Sequence, residues 1–278
     1  AFGVGCQELK TFGGESKGGF SGGTLATILG ALTGRTKDYP GMKEASAKGV
    51  YALDPVGATG GPDTSDYGGV GYDDRVGTWH MPTILAGANG PVVRKSAALL
   101  KYSKSGKGMR YSEVAACKSR WAGWIGTAGL AVGGACLAIP PIRGLLFKMK
   151  MLPLPGEGPP PEVRESGYFH TWVLGVGETD AEDIEGPMVI ADVRSGTAGD
   201  PGYKATAQMA IESALCLALQ REECAPEGGV LTPASALGNV LVDRLNKSGM
   251  QLSASVLGEP TLKTPGRKRG AQERVFVG

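Results

Sequence analysis

The chain has 278 residues, 41% of them hydrophobic and 20% charged, which excludes disorder and collagen-like repetition. Its 29 basic and 27 acidic side chains nearly cancel, so nucleic acid, whose binders carry a strong basic excess, is not an expected partner. Glycine is abundant at 46 residues, which demands tight turns, close backbone approaches or closely packed helices.

Five cysteines, Cys6, Cys117, Cys136, Cys216 and Cys224, form no CxxC pair and read as free thiols in a reducing compartment. With His80 and His170 as the only histidines, no metal site is expected. The sequence opens at Ala1 without the basic and apolar regions of a secretory leader. An intracellular location is therefore expected, with either a leader removed or a longer chain upstream.

In chain order, Leu9-Lys10-Thr11-Phe12 reads as a short strand and Ser21-Gly22-Gly23-Thr24 as the capped start of a helix. Residues 34–78 are polar and turn-rich, and read as surface loops. Val92 to Leu100 reads as a helix. Trp121 to Ile142 is a run of 22 residues without a charge, and Leu152 to Glu162, with five prolines, reads as a linker. Tyr168–Val176 and Pro187–Val193 have strand composition. Residues 203–220 place Ala205, Met209, Ile211, Ala214, Leu215 and Leu217 at helical spacing. Gly228 to Pro233 is a short apolar piece, Leu237–Asn246 a helix stopped by Gly249, and Gln251–Leu257 a closing strand. The order implies α/β or α+β architecture, with a basic tail from Lys263 to Arg274.

Several motifs could carry chemistry. Gly3-Val4-Gly5 opens a GxG, but Glu8 stands where the dinucleotide fingerprint needs its third glycine. Gly18-Gly19-Phe20-Ser21-Gly22-Gly23-Thr24 resembles a phosphate cradle in composition, without the lysine of a Walker loop, and equally suits a helix-capping turn. No GxSxG supports a hydrolase; His80 reads as a packed residue and His170 lies inside a strand-like run. Asp200 is placed as a turn or cap residue, and Tyr203 could point its hydroxyl into a cleft or staple its helix to a sheet. Arg94 and Lys95 could meet an acidic substrate or cofactor phosphate, or lie solvated on the surface.

The apolar run contains a GxxxG from Gly129 to Gly133 and would be about 28 Å long as a helix from Trp121 to Ile139. Five glycines and five alanines keep it mildly hydrophobic, and Pro140-Pro141 should break it. A single span would separate its two flanks across a bilayer. It therefore reads as an element buried in the core, as one buried in a partner, or as a shallow hairpin anchored by Arg143, Lys148 and Lys150 beside Leu145, Leu146 and Phe147.

The order of motifs resembles saccharopine dehydrogenase-like oxidoreductases, including the trans-acting enoyl reductases. The pieces are Ser21–Thr24, Pro91–Ser96, Gly199-Asp200-Pro201-Gly202-Tyr203 with Thr206-Ala207, Gly228–Pro233, and Asp243–Lys247 with Gly249-Met250. The hydrophobic insertion before a proline-rich linker resembles the animal and plant members, which are associated with membranes and lipid droplets. The resemblance departs at the start, where family members carry a Rossmann unit that binds NAD(P) and this sequence does not.

The resemblance thus implies the α+β substrate domain of a two-domain reductase. Its parts are 1–120 as the first part of the substrate or dimerisation domain, 121–151 as an apolar insertion, and 152–166 as a linker. The second part of the sheet with the terminal helices follows at 167–260, then the basic tail at 261–278. Implied with it are NAD(P), held elsewhere, a hydrophobic substrate, and a membrane or lipid surface met by Trp121 to Phe147. A homodimer or larger membrane complex is compatible with it. Ser21, Thr24, Arg94 and Tyr203 are the candidate substrate-binding residues. The alternative is a non-catalytic accessory subunit that docks through 121–151.

Overall fold

A computed structural model describes residues 3–262, apart from Phe20, 35–40, Thr59, Pro155, 181–183 and 259–260. The basic tail expected beyond residue 262 lies outside the described residues. The strands are β1 (Cys6–Lys17), β2 (Gly71–Asp73), β3 (Thr78–Pro82), β4 (Arg110–Cys117), β5 (Tyr168–Gly177), β6 (Ile184–Glu185), β7 (Met188–Arg194), β8 (Gln251–Gly258) and β9 (Thr261–Leu262). The helices are α1 (Gly22–Leu32), α2 (Met42–Ala47), α3 (Ala86–Leu99), α4 (Arg120–Ala138), α5 (Pro140–Lys148), α6 (Pro161–Glu165), α7 (Lys204–Leu219) and α8 (Pro233–Lys247).

Seven strands form one mixed sheet in the order β2-β3-β4-β1-β5-β7-β8, and β6 pairs with β9 apart from it. The β1–β4 pair is parallel and the other neighbours are antiparallel. The fold is α/β, as the sequence implies. Both sides of the apolar run contribute to this sheet, since β4 and β5 flank β1.

Register sorts the side chains between the two faces, because successive residues of a strand point to opposite sides. Phe12 lies opposite Val114 and Trp172, Leu174 opposite Ile190, and Val176 opposite Met188. These seven form the main core, with Phe12 stacked on Trp172. On the other face Leu9 is opposite Tyr111, and both pack with Ala97 and Val93 of α3. At the far end, Ala205 and Met209 of α7 meet Leu241 and Leu245 of α8, Met250 and Leu252.

Several expectations need correction. The strand at Leu9–Phe12 is the middle of a twelve-residue strand at the centre of the sheet. Helix α3 begins at Ala86, upstream of Pro91, which sits inside it. The segment read as loops contains α2 and β2. In α7 Ile211 and Leu217 are exposed, while Cys216 is buried against Cys224 and Leu237.

The apolar run is two helices. Ser119 caps α4 by accepting from the N–H of Ala122 at 3.2 Å. Ile139 is extended, and Pro140 restarts the chain as α5, where a missing N–H costs nothing. Near its start, α4 docks through glycines. A Cβ on Gly123 would lie 2.8 Å from Val70 Cγ1, and one on Gly126 would lie 2.3 Å from Met81 Sδ. Further along, Gly129, Gly133 and Gly134 face open space. Trp121, Ile125 and Val132 are 76%, 71% and 63% exposed, so the run is not buried in the core of this chain.

Candidate functional site

Three of the four candidate residues meet at one junction, where β1 ends, α1 and α7 begin and the proline-rich linker passes over. Ser21 Oγ accepts the N–H of Thr24 at 3.0 Å and lies 3.2 Å from Thr24 Oγ1. The N–H of Gly22 donates to the Glu157 carbonyl at 3.0 Å. Two of the amide groups that a helix N-terminus offers to an anion are therefore already used. A Cβ on Gly19 would lie 2.7 Å from Pro159 Cβ, and one on Gly18 would lie 3.0 Å from Pro201 Cδ. The Gly18–Thr24 loop is thus a capping turn packed against prolines.

Asp200 organises the other half. It is fully buried, and its carboxylate accepts backbone N–H groups from Gly202, Tyr203 and Lys204 at 3.1, 3.1 and 2.9 Å. The start of α7 is fixed by this one side chain, as turn and cap together. Tyr203 follows at once. Its hydroxyl oxygen is buried, has no hydrogen-bond partner among the described residues, and lies 3.8 Å from where a Cβ on Gly158 would stand. A buried phenol without a partner is costly, so this junction holds one polar group awaiting a donor or acceptor.

Arg94 is elsewhere. It sits beside Tyr111, opposite Leu9 of β1, and the junction lies at Lys17, eight residues or roughly 26 Å further along that strand. Arg94 is buried rather than solvated. Its guanidinium donates to Asp63 at 2.9 Å, to Asp66 and to the Tyr111 carbonyl at 3.2 Å, and lies over the rings of Tyr51 and Tyr111. Two carboxylates neutralise it and raise its pKa against the opposing effect of burial. It holds the 50–66 segment onto α3 and β4.

A second charged cluster lies on the core face of the sheet. Arg75 forms a two-pronged contact with Glu8 at 3.1 and 2.9 Å and another with Asp73 at 3.0 and 2.8 Å. Lys10 donates to Asp73 at 2.9 Å and lies 3.0 Å from His80 Nε2. His80 Nδ1 is 3.1 Å from the Gly69 carbonyl, which can only accept, so Nδ1 carries the hydrogen and Nε2 accepts from Lys10. Burial, and then the Lys10 charge, lower the His80 pKa and keep it neutral. Despite its burial, Asp73 is held well below the usual carboxylate range by Arg75 and Lys10. The five side chains balance two positive charges against two negative ones around a neutral imidazole. Their positions in sequence, spread over 8, 10, 73, 75 and 80, carry no motif that could have announced them.

His170 pairs with Asp192 at 2.9 Å on adjacent strands, and Arg194 shares that carboxylate. Among the described residues no group of His, Cys, Asp and Glu is placed to hold a metal ion.

Comparison with known proteins bears on what this geometry serves. The chain is 35% identical over 255 residues to Rv2449c of Mycobacterium tuberculosis H37Rv, whose name assigns it provisionally as a trans-acting enoyl reductase. The match covers 87% of this chain and 58% of that protein. The chain is a distant homologue of the trans-acting enoyl reductases. A trans-acting enoyl reductase of Mycobacterium ulcerans matches at 31% over 192 residues, 66% of this chain and 43% of its own length. One of Mycobacterium leprae matches at 28% over 189 residues. The chain thus spans 43–58% of the length of these reductases. No family model and no solved structure matches it.

Homology to reductases implies a nicotinamide cofactor, but the glycine motifs present do not fit one. Gly3-Val4-Gly5 precedes a strand instead of following one, and a Cβ on Gly5 would lie 2.1 Å from Glu178 Oε2, so that space is filled by protein. The Gly18–Thr24 turn is occupied by the linker, as described above. Neither glycine motif, among the described residues, leaves room for a pyrophosphate.

Proposed function

We propose that this chain supplies the substrate side of an NAD(P)-dependent oxidoreductase of the saccharopine dehydrogenase-like type, acting on a hydrophobic enoyl substrate at a membrane surface. The 35% identity over 255 residues to a protein assigned as an enoyl reductase carries the reading. Within it, the Ser21–Thr24–Tyr203 junction is the substrate site. The Tyr203 hydroxyl offers a hydrogen bond to the substrate carbonyl once the Glu157–Pro160 strap lifts, and the Ser21 and Thr24 hydroxyls flank the entrance. Arg94 acts from a distance, as a brace for α3. The exposed apolar residues of α4 and α5 supply the lipid contact.

The test is a titration of the native protein with NADPH and NADH, followed by turnover of a long-chain α,β-unsaturated thioester, with intact mass measured on the same sample. Saturable binding and consumption of reduced nicotinamide are expected, with Tyr203→Phe lowering kcat by about tenfold or more. Native protein that binds neither nucleotide and turns over no enoyl thioester sinks the enzyme reading. The exposure of the α4 apolar surface would then favour the second reading, an accessory subunit docked through residues 121–151.

A further inference from the structure

Apart from the junction, a cavity of about 300 Å³ opens between the C-terminal end of α3, residues 51–58 with Gly60, and the loop that leads into β4. Tyr51, Asp54, Arg94, Lys101, Ser103 and Met109 are among the residues that line it. Its volume falls at the lower end of small-molecule sites.

Most of the polar groups in the wall are already engaged. Arg94 is held by Asp63 and Asp66. Ser103 donates to Glu178 at 2.6 Å, and Lys104 Nζ donates to the Gly3 carbonyl at 2.7 Å. Tyr51 accepts the N–H of Asp63 at 2.8 Å. Two groups are left over. Asp54 Oδ1 is buried without a hydrogen-bond partner among the described residues. The Lys101 ammonium, on an exposed residue, pairs with no carboxylate among the described residues.

A buried acceptor without a donor costs free energy until a ligand supplies one. Burial accordingly raises the Asp54 pKa, against the attraction of Arg94 and Lys48. Arg94 is neutralised by Asp63 and Asp66, so Lys101 and Lys104 are the cations left in the wall to attract an anion. The complementary molecule carries a hydroxyl for Asp54 and a negative charge for Lys101.

We infer that this cavity is a binding site for a small hydroxylated anion of the sugar-phosphate type, with Asp54 accepting its hydroxyl and Lys101 pairing with its phosphate. The site is separate from the Ser21–Tyr203 junction and does not depend on the reductase reading.

The test is a calorimetric and amide-NMR titration of the full chain with ribose 5-phosphate, beside ribose and inorganic phosphate alone. Saturable binding of ribose 5-phosphate is expected, with shifts around Tyr51, Lys101 and Met109 and weaker binding of either fragment. Lys101→Gly, which suits the backbone at that position, and Asp54→Ala should each weaken it by about tenfold. Near-ultraviolet circular dichroism establishes that both variants are folded. Three results overturn the proposal: no saturation up to about 10 mM, affinity unchanged in both folded variants, or inorganic phosphate binding as tightly as the ester, which marks an adventitious ion only.

Discussion

At the scale of single residues, two lysines occupy positions that usually belong to glycine. Lys101 and Lys150 have φ of 52° and 56°, each just past the end of a helix. The N–H of Tyr102 reaches back to Ala97 and that of Met151 to Leu146, the bonding that closes a helix through a left-handed residue. An L side chain in that conformation costs about 1–2 kcal/mol, offset in part by a cation near the helix C-terminus worth about 0.3–1 kcal/mol. Lys101→Gly should therefore raise stability by about 0.5–1 kcal/mol, read as an increase in the urea midpoint at constant slope. An unchanged or lower midpoint would mean that the Lys101 charge does more for the fold than its backbone costs. His80 gives a second prediction at this scale. Its folded pKa lies below the ordinary value of 6.5, so the unfolded chain binds the extra proton first as pH falls. The stability that neutral His80 contributes is present above about pH 6.5 and is lost as pH drops below it. His80→Asn keeps a side-chain N–H for the Gly69 carbonyl and removes the titration. The fall in Tm between about pH 7.5 and 5.5 should be smaller in that variant than in the parent. Equal slopes would show that other groups govern acid sensitivity.

At the scale of elements, α4 separates docking from projection. Its first turns are pinned where Gly123 and Gly126 let the helix backbone approach β3, and its later glycines touch nothing. Gly123→Val should destabilise by about 1–3 kcal/mol through overpacking against Val70 and Cys117. Gly133→Ala, in open helix, should stabilise by up to about 1 kcal/mol. Thermal melts of the two variants that shift in the same direction would contradict this division. The contrast also shows what sequence could and could not disclose. The charge-free run and its break at Pro140 were legible because composition alone defines them. The same holds for β5, β7, β8, α7 and α8, whose apolar residues follow helical or strand spacing, although the buried face of α7 includes Cys216 in place of Leu217. Strands β1 and β4 were not legible in full. Glu8, Lys10 and Glu113 occupy inward or partly buried positions because each finds a partner from a distant segment, and such pairing erases the alternation that marks a strand. At the junction the Asp200 cap could be read locally, since its three amide partners lie within four residues. Asp63 and Asp66, which bury Arg94, come from a turn-rich stretch 31 and 28 residues away, where local pattern carries no information.

At the scale of the whole molecule, sheet topology limits how the proposed lipid contact of residues 121–151 could be made. Strands β4 and β5 both pair with β1, so the chain leaves the sheet into α4 and must return to the same sheet. Helix α4, at 19 residues or about 28 Å, is long enough to cross a hydrocarbon core. Helix α5, at nine residues or about 13 Å, is not, and the irregular linker after it cannot lie in lipid with its backbone unsatisfied. Only an in-plane or shallow arrangement satisfies both constraints. Under the proposed lipid contact, exposed Trp121 and Trp124 would sit at the headgroup level, with Lys148 and Lys150 at the end of α5, whereas Arg143 donates to the Leu137 carbonyl at 2.9 Å. The full chain should therefore float with vesicles containing about one-third anionic lipid, release as salt rises, and show blue-shifted tryptophan emission. Replacing both Trp121 and Trp124 by serine should lower partitioning by about tenfold or more while the sheet stays folded. Protease added outside sealed vesicles should cleave on both flanks of the hairpin, because both flanks are on one side. A protected fragment with one flank inside the vesicle would require β4 and β5 to part from β1, and would overturn both the one-sided geometry and the reading of this sheet as a unit in the bound state.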